Sequence, residues 1–421
     1  MAVLDQAAPR LLLPPGLRFA VVGAEFVRGA GVALGLEPHL AERLALIAEE
    51  VLAAAPQDAG AVALAPSDRR HAVRLEVDFA TAALDLAGLD QSRSRDPEDE
   101  VDVGLYLAAR LADRLATETL RGGGLRLAFE VNRRYAERVP PAPPEGLGPM
   151  AGLPLDPDAA TLALLVDWAE SAGAGGPAFR TAARVLDQRA VGELSARVAR
   201  DARHRPVGGL FWQPFGRRLM ALSGPALLLP AGAARREVAA ALLDSALSGL
   251  VRGTIQGLVV LDPAPDMPAG AFEVVGHLPH RDGTHPVLFR ALEEDPGRIA
   301  WVPAPLRDWV ADRVRGLGLG RDVEEAPPPA RATGAVLAAE TDRAAGRVTL
   351  RPLLAAADAA AVAIANVALF RAQGISEIRA VLDLGQPDHA AFGAGLVQAG
   401  LAPAALIPDA AGDLLLLAAR A

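Results

Sequence analysis

Three groups of residues in this chain of 421 have types and spacings that could do chemistry. Glu50 lies in a helix-like run and Asp78 at the end of a strand-like one. Carboxylates so placed could hold a nucleotide, one through magnesium and one at the base. Gly232, Arg235 and Arg236 fall in the loop Pro230 to Glu237, just ahead of an apolar periodic run. Backbone N–H groups at a helix start, assisted by guanidinium, suit the oxygens of a coenzyme A-type phosphate. His277, His280, Asp282 and His285 cluster in GHLPHRDGTHP, where imidazoles and a carboxylate could bind zinc. That spacing lacks the i,i+4 geometry of zinc-binding helices, and its glycine and proline read as an exposed turn, so no metal site is expected.

Composition removes several chemistries. All 42 basic residues are arginine, which rules out a lysine nucleophile, a Schiff base and a P-loop lysine. There is no cysteine, so thiol catalysis, disulfides and thiolate metal sites are excluded. A net charge of -9 argues against nucleic-acid binding, which needs a basic face. RLLLPPG at Arg10 is too short and too proline-broken for a signal peptide, and the longest apolar run, Leu353 to Phe370, carries Asp358 and Asn366. Neither spans a bilayer. A cytoplasmic protein is expected, with no membrane or nucleic-acid partner.

The elements that must position these residues fall between two proline-rich breaks, Pro140–Pro149 and Glu324–Gly334. They predict modules of residues 1–139, 150–325 and 333–421, with 140–149 as a semi-rigid linker. In the first module Leu40, Leu44, Ile47, Val51 and Leu52 mark a helix over 37–55 with Pro38 in its first turn. AVRLEVDF, residues 72–79, alternates as a half-buried strand. Residues 104–119 read as a second helix, and LRGGGLRLAFEV as a strand leaving a glycine turn. The acidic run Asp96–Asp102 reads as a solvated loop.

This order, with EEVLAAA at Glu49 and DVGLYLAARLADRL at Asp102, resembles the ATP-binding domain of anti-sigma serine kinases and histidine kinases. The resemblance implies an α/β sandwich, with ATP as ligand and Glu50 and Asp78 at the nucleotide. The family's magnesium-holding asparagine falls here on Ala54, and the glycines after its aspartate are replaced by Phe79, Ala80 and Thr81. Glycines there let backbone approach a ligand, and alanine offers magnesium no oxygen.

In the middle module an apolar strand over 219–229, a helix over 234–248 ending at Gly249, and a strand over 255–261 precede AGAFEVVGHLP. This resembles the acetyl-CoA-binding core of GNAT N-acetyltransferases, which implies a pyrophosphate at the helix start near Gly232, Arg235 and Arg236. Arginines stand where the family's glycines would sit, and Phe272 where a tyrosine acid is common. Residues 346–421 repeat the theme as strand, helix, strand, helix and two strands, resembling a shorter GNAT half. Gly316-Leu-Gly-Leu-Gly320 reads as a helix stop, and Ser223 lacks a nucleophile elbow. The whole resembles bacterial fusions of an anti-sigma-kinase-like ATPase domain with GNAT-like domains. It is expected to be an α/β protein that has kept two ligand-binding frames and lost the residues that grip. The expected role is regulation: sensing a ligand or binding a protein partner. The alternatives are an acetyl-CoA-dependent N-acetyltransferase and an anti-sigma-type serine kinase.

Overall fold

The computed structural model describes residues 9–81, 84–92, 103–121, 123–136, 138–174, 177–250, 255–280, 283–342 and 346–419. The acidic run Asp96–Asp102 and Asp282 lie outside the described residues. The architecture is mixed α/β, built on a five-stranded sheet, an eleven-stranded sheet and a parallel strand pair. No helix among the described residues is long and apolar enough to cross a membrane.

The first sheet comprises β1 (Leu11–Leu13), β2 (Val62–Asp68), β3 (Ala72–Phe79), β4 (Arg114–Thr119) and β5 (Leu125–Asn132), in the order β1-β2-β3-β5-β4. All its pairs are antiparallel. The period-2 pattern of β3 puts Val73, Leu75, Val77 and Phe79 on one face, each fully buried. There they meet α1 (Leu17–Ala33), α2 (Pro38–Ala53) and α3 (Val103–Leu111) in one apolar core. Pro38 opens α2 at its first position, where a missing N–H costs nothing. The predicted helix over 104–119 is corrected: α3 stops at Leu111 and residues 114–119 form β4. An edge strand with both faces largely exposed carries no burial signal, so its pairing with β5 decides its state.

The larger sheet holds β6 (Ser195–Arg200), β7 (Pro206–Phe215), β8 (Leu219–Leu227), β9 (Gly257–Val260), β10 (Glu273–His280) and β11 (Gly283–Ala291). Its C-terminal strands are β14 (Val336–Asp342), β15 (Arg347–Leu354), β16 (Glu377–Asp383), β17 (Leu401–Ile407) and β18 (Leu414–Ala419). Between the two groups, β12 (Arg298–Val302) and β13 (Arg321–Glu325) pair in parallel around α7 (Arg307–Gly316). Helix α7 stops at Gly316, and Gly318 follows in the left-handed region at φ 64°, as a helix stop requires. Helices α4 (Ala159–Ser171) and α5 (Ala182–Ala190) cover one face of β6 and β7, and α6 (Ala233–Leu250) the other. Helices α8 (Ala359–Ala372), α9 (Pro387–Ala390) and α10 (Gly393–Gln398) complete the C-terminal part.

The order β14-β15-β16-β18-β17-β10-β11-β9-β8-β7-β6 contains one pattern twice. β8 runs parallel to β9, which continues antiparallel to β11 and then β10. β15 runs parallel to β16, which continues antiparallel to β18 and then β17. Long helices, α6 and α8, link the two parallel pairs, as such crossovers require. The halves meet where β10 pairs with β17 at Gly276 opposite Ala405. A Cβ on Gly276 would lie 2.1 Å from the Ala404 carbonyl oxygen, so only glycine lets the two halves join. One sheet therefore runs through both the middle and C-terminal stretches.

Candidate functional site

Both parallel pairs come apart. β8 pairs with β9 only from Leu219 to Ala221, and β15 with β16 only from Arg347 to Leu350. Each inner strand also slips register against its outer neighbour, between Gly209 and Phe211 on β7 and between Val336 and Leu337 on β14. A wedge thus opens at the carboxyl end of each pair, with backbone donors and acceptors along its walls. The linking helices α6 and α8 begin at the same end. Carboxyl edges with helix N-termini are where open α/β sheets take ligands. One sequence signal marks both wedges: Val260-Leu261-Asp262 runs off the end of β9, and Val381-Leu382-Asp383 closes β16. Those aspartates were not among the residues that spacing singled out.

At the first wedge, the stretch Ala231 to Ala234 that opens α6 is exposed, and a Cβ on Gly232 would meet nothing within 4 Å. Arg235 is engaged by its own loop. Its Nε and Nη2 lie 2.7 and 2.6 Å from Asp266 Oδ2, and its Nη1 donates to the Leu229 carbonyl at 2.6 Å. Arg236 is exposed and makes no ion pair among the described residues.

The histidines sit on strands, not in a turn. His277 and His280 belong to β10 and His285 to β11. His277 is exposed, and the third member of the cluster is instead Asp262, just beyond β9. His285 Nδ1 lies 3.0 Å from Asp262 Oδ1, and a carboxylate acceptor there fixes hydrogen on Nδ1. The His280 and His285 rings stack at 4.3 Å. Burial pushes His280 below the usual imidazole range against the pull of Asp262, and Arg379 and His285 push it further. Ligand atoms of Asp262, His280 and His285 lie within 4.8 Å of one another. A metal must lie in the plane of each imidazole it binds, and stacked rings share no such plane.

At the second wedge, α8 begins behind Asp358, whose carboxylate accepts from the N–H groups of Gly334 and Ala335 at 3.0 and 2.9 Å. A cavity of about 180 Å³ opens beside β15 and β16, lined among others by Arg351, Asp383, His389 and Asp409. Gly216 and Arg217, in the turn between β7 and β8, close it from the other half of the sheet. His389 Nδ1 accepts from the Asp383 N–H at 3.1 Å, so its hydrogen sits on Nε2. Burial pushes His389 below its ordinary range, opposed by Asp383 and Asp388 and aided by Arg217 and Arg351.

The two carboxylates expected at a nucleotide are not brought together. Asp78 projects from the face of β3 opposite the one that α2 covers, because alternate residues of a strand point apart. There Arg126 holds it bidentately at 2.6 and 2.9 Å, with Arg10 at 3.4 Å. Glu50 is half-buried on α2, across the sheet.

No family model matches this chain, and no curated protein does. Solved structures similar to part of it include the crystal structure of aminoglycoside 6'-acetyltransferase type Ii, at 14% identity over 34% of this chain and 100% of that one, with a TM-score of 0.27. AAC(6')-Ib in complex with ribostamycin and coenzyme A is 15% identical over 33% of this chain and 92% of that one, with a TM-score of 0.26.

Proposed function

We propose that the middle stretch binds an acyl-coenzyme A at the β8/β9 wedge and transfers the acyl group to an amine. The observation that carries this reading is the Asp262–His285 pair at the carboxyl end of a parallel pair that has parted. An extended, amide-bearing arm fits between strands whose backbone groups are left unpaired, as an added strand does. The pyrophosphate falls at the exposed start of α6, where helix N–H groups and Arg236 favour negative charge. His285 Nε2 takes a proton from the attacking amine, while Asp262 holds the ring and stabilises the imidazolium. The nitrogen bonds to the thioester carbonyl carbon, the carbon–sulfur bond breaks, and the thiolate leaves to be protonated by water.

A regulatory reading rests on a different observation: two of the side chains expected to meet a ligand are already engaged within the chain. Asp266 takes Arg235, and Arg126 takes Asp78. On this reading the wedges sense a ligand, or the chain binds a protein partner, without turnover.

A thiol-release assay with acetyl-CoA and a panel of free amines separates the two, since a chain without cysteine contributes no thiol. Transfer is expected to fall about 10²–10⁴-fold in His285→Ala, the usual worth of a general base, with coenzyme A binding retained. Binding without thiol release would leave the regulatory reading standing. No thermal stabilisation by acetyl-CoA would sink the acyl-transfer reading.

A further inference from the structure

The cavity at the second wedge carries a charge pattern that no acyl transfer at His285 requires. Asp409 is 1% exposed, yet only its Oδ1 is bonded, by the Ala411 N–H at 2.7 Å. Its Oδ2 accepts no hydrogen bond among the described residues, and the residue lines the cavity. An oxygen without a donor, on so nearly buried a carboxylate beside a cavity, invites a donor from a ligand. Asp383 stands on the same wall with one bond to each oxygen, from Gly385 N–H at 2.9 Å and Gln386 Nε2 at 2.7 Å. Each oxygen keeps a further lone pair. Arg217 and Arg351 are exposed at the mouth, and among the described residues neither guanidinium makes an ion pair. Two carboxylates deep and two guanidiniums at the rim, around a neutral imidazole donor, form the complement of a molecule with an ammonium at one end and a carboxylate at the other.

We propose that the β15/β16 wedge is a binding site for a free α-amino acid, its ammonium on Asp409 Oδ2 with Asp383, and its carboxylate between Arg217 and Arg351. A cavity of about 180 Å³ holds one small molecule and no long chain. Because Arg217 comes from the β7–β8 turn and the other three from the C-terminal stretch, the ligand bridges the two halves of the sheet. The site stands independently of acyl transfer at the first wedge.

The test is calorimetry and thermal shift on the full chain with the twenty free amino acids, their N-acetyl derivatives and their carboxamides. At least one free amino acid is expected to bind, with both blocked forms at least tenfold weaker. Arg217→Gln, on an exposed turn outside the core, is expected to weaken binding at least tenfold while leaving the melting temperature of the free protein unchanged. Asp409→Asn is expected to do the same to affinity. Binding of no free amino acid, equal binding of an N-acetyl form, or affinity unchanged in Arg217→Gln would each overturn the proposal. Loss of coenzyme A binding at the first wedge would leave these outcomes unaltered, so the two readings fail separately.

Discussion

Asn366 donates from Nδ2 to both carboxylate oxygens of Asp90, at 3.1 and 3.2 Å, across 276 residues of sequence. Both side chains are fully buried. Asp90 follows the 3₁₀ turn Leu86–Leu89 of the first module and Asn366 lies in the middle of α8, so the contact fastens the five-stranded sheet's flank to the C-terminal stretch. Ser92 and the Leu337 N–H complete the shell at 2.5 and 3.3 Å. Asn366→Leu keeps the volume and removes one donor, leaving the buried Asp90 with Ser92 and the Leu337 N–H. Taking a hydrogen-bond partner from a buried polar group costs about 1–3 kcal/mol, and denaturant unfolding should show that loss for Asn366→Leu.

Burial pushes the Asp90 carboxyl above the usual range, against hydrogen bonds from Ser92, Asn366 and Leu337 that pull it down. A carboxyl whose folded pKa exceeds its unfolded value favours the folded state most when protonated. Its contribution is complete below the unfolded value and is lost as pH rises through the folded one. The stability of the native chain relative to Asp90→Asn should therefore fall as pH rises from about 4. A difference that grows with pH would contradict this sign.

Arg321, whose side chain is 0% exposed, bonds Asp413 at 2.7 and 2.8 Å and pairs with Asp295. The guanidinium ties the start of β13 to the β17–β18 loop that carries Asp409. Arg321→Ala should cost about 3–5 kcal/mol, because Asp413 is left buried without its cation. Replacing both partners, Arg321→Met with Asp413→Leu, should recover part of that loss, since matched apolar groups bring no desolvation penalty. A double variant as unstable as the single one would show that the ion pair itself, rather than the stranded charge, sets the cost.

How much of this was legible in the sequence depends on whether burial followed a local period. β3 was legible because Val73, Leu75, Val77 and Phe79 alternate with Arg74, Glu76 and Asp78. α6 was legible through Val238, Leu242, Ala246 and Leu247, all buried. α1 was missed because its buried side is made of Ala20, Gly23, Ala24 and Val27, while Leu17, Val21 and Val22 face outward. Spacing brought His280 and His285 together, but Asp262 reaches them from another strand, and no local pattern encodes that distance. The same holds for Asp409, which shares a cavity with Arg217 because the two half-sheets join in one sheet. Arg235 matched a phosphate-binding position in sequence, yet Asp266, 31 residues on, claims it in space.

Gly276 is the place to test whether the two halves fold as one. Its absent side chain lets the Ala405 Cα approach to within 2.4 Å of where a Cβ would stand. That atom cannot move without shifting β17, and β17 is anchored along its length to β18. Gly276→Ala should therefore cost about 1–3 kcal/mol, the range for forced overpacking. Gly276→Val should go further, parting β10 from β17 and dividing the eleven-stranded sheet into two half-sheets. Calorimetry should then resolve two transitions where one is expected for this sheet in the native chain, with the amino-acid site weakened because Arg217 and Asp409 no longer line one cavity. A Gly276→Val protein with a single transition and unchanged amino-acid affinity would show that the apolar packing on the two faces holds the halves together without the strand junction.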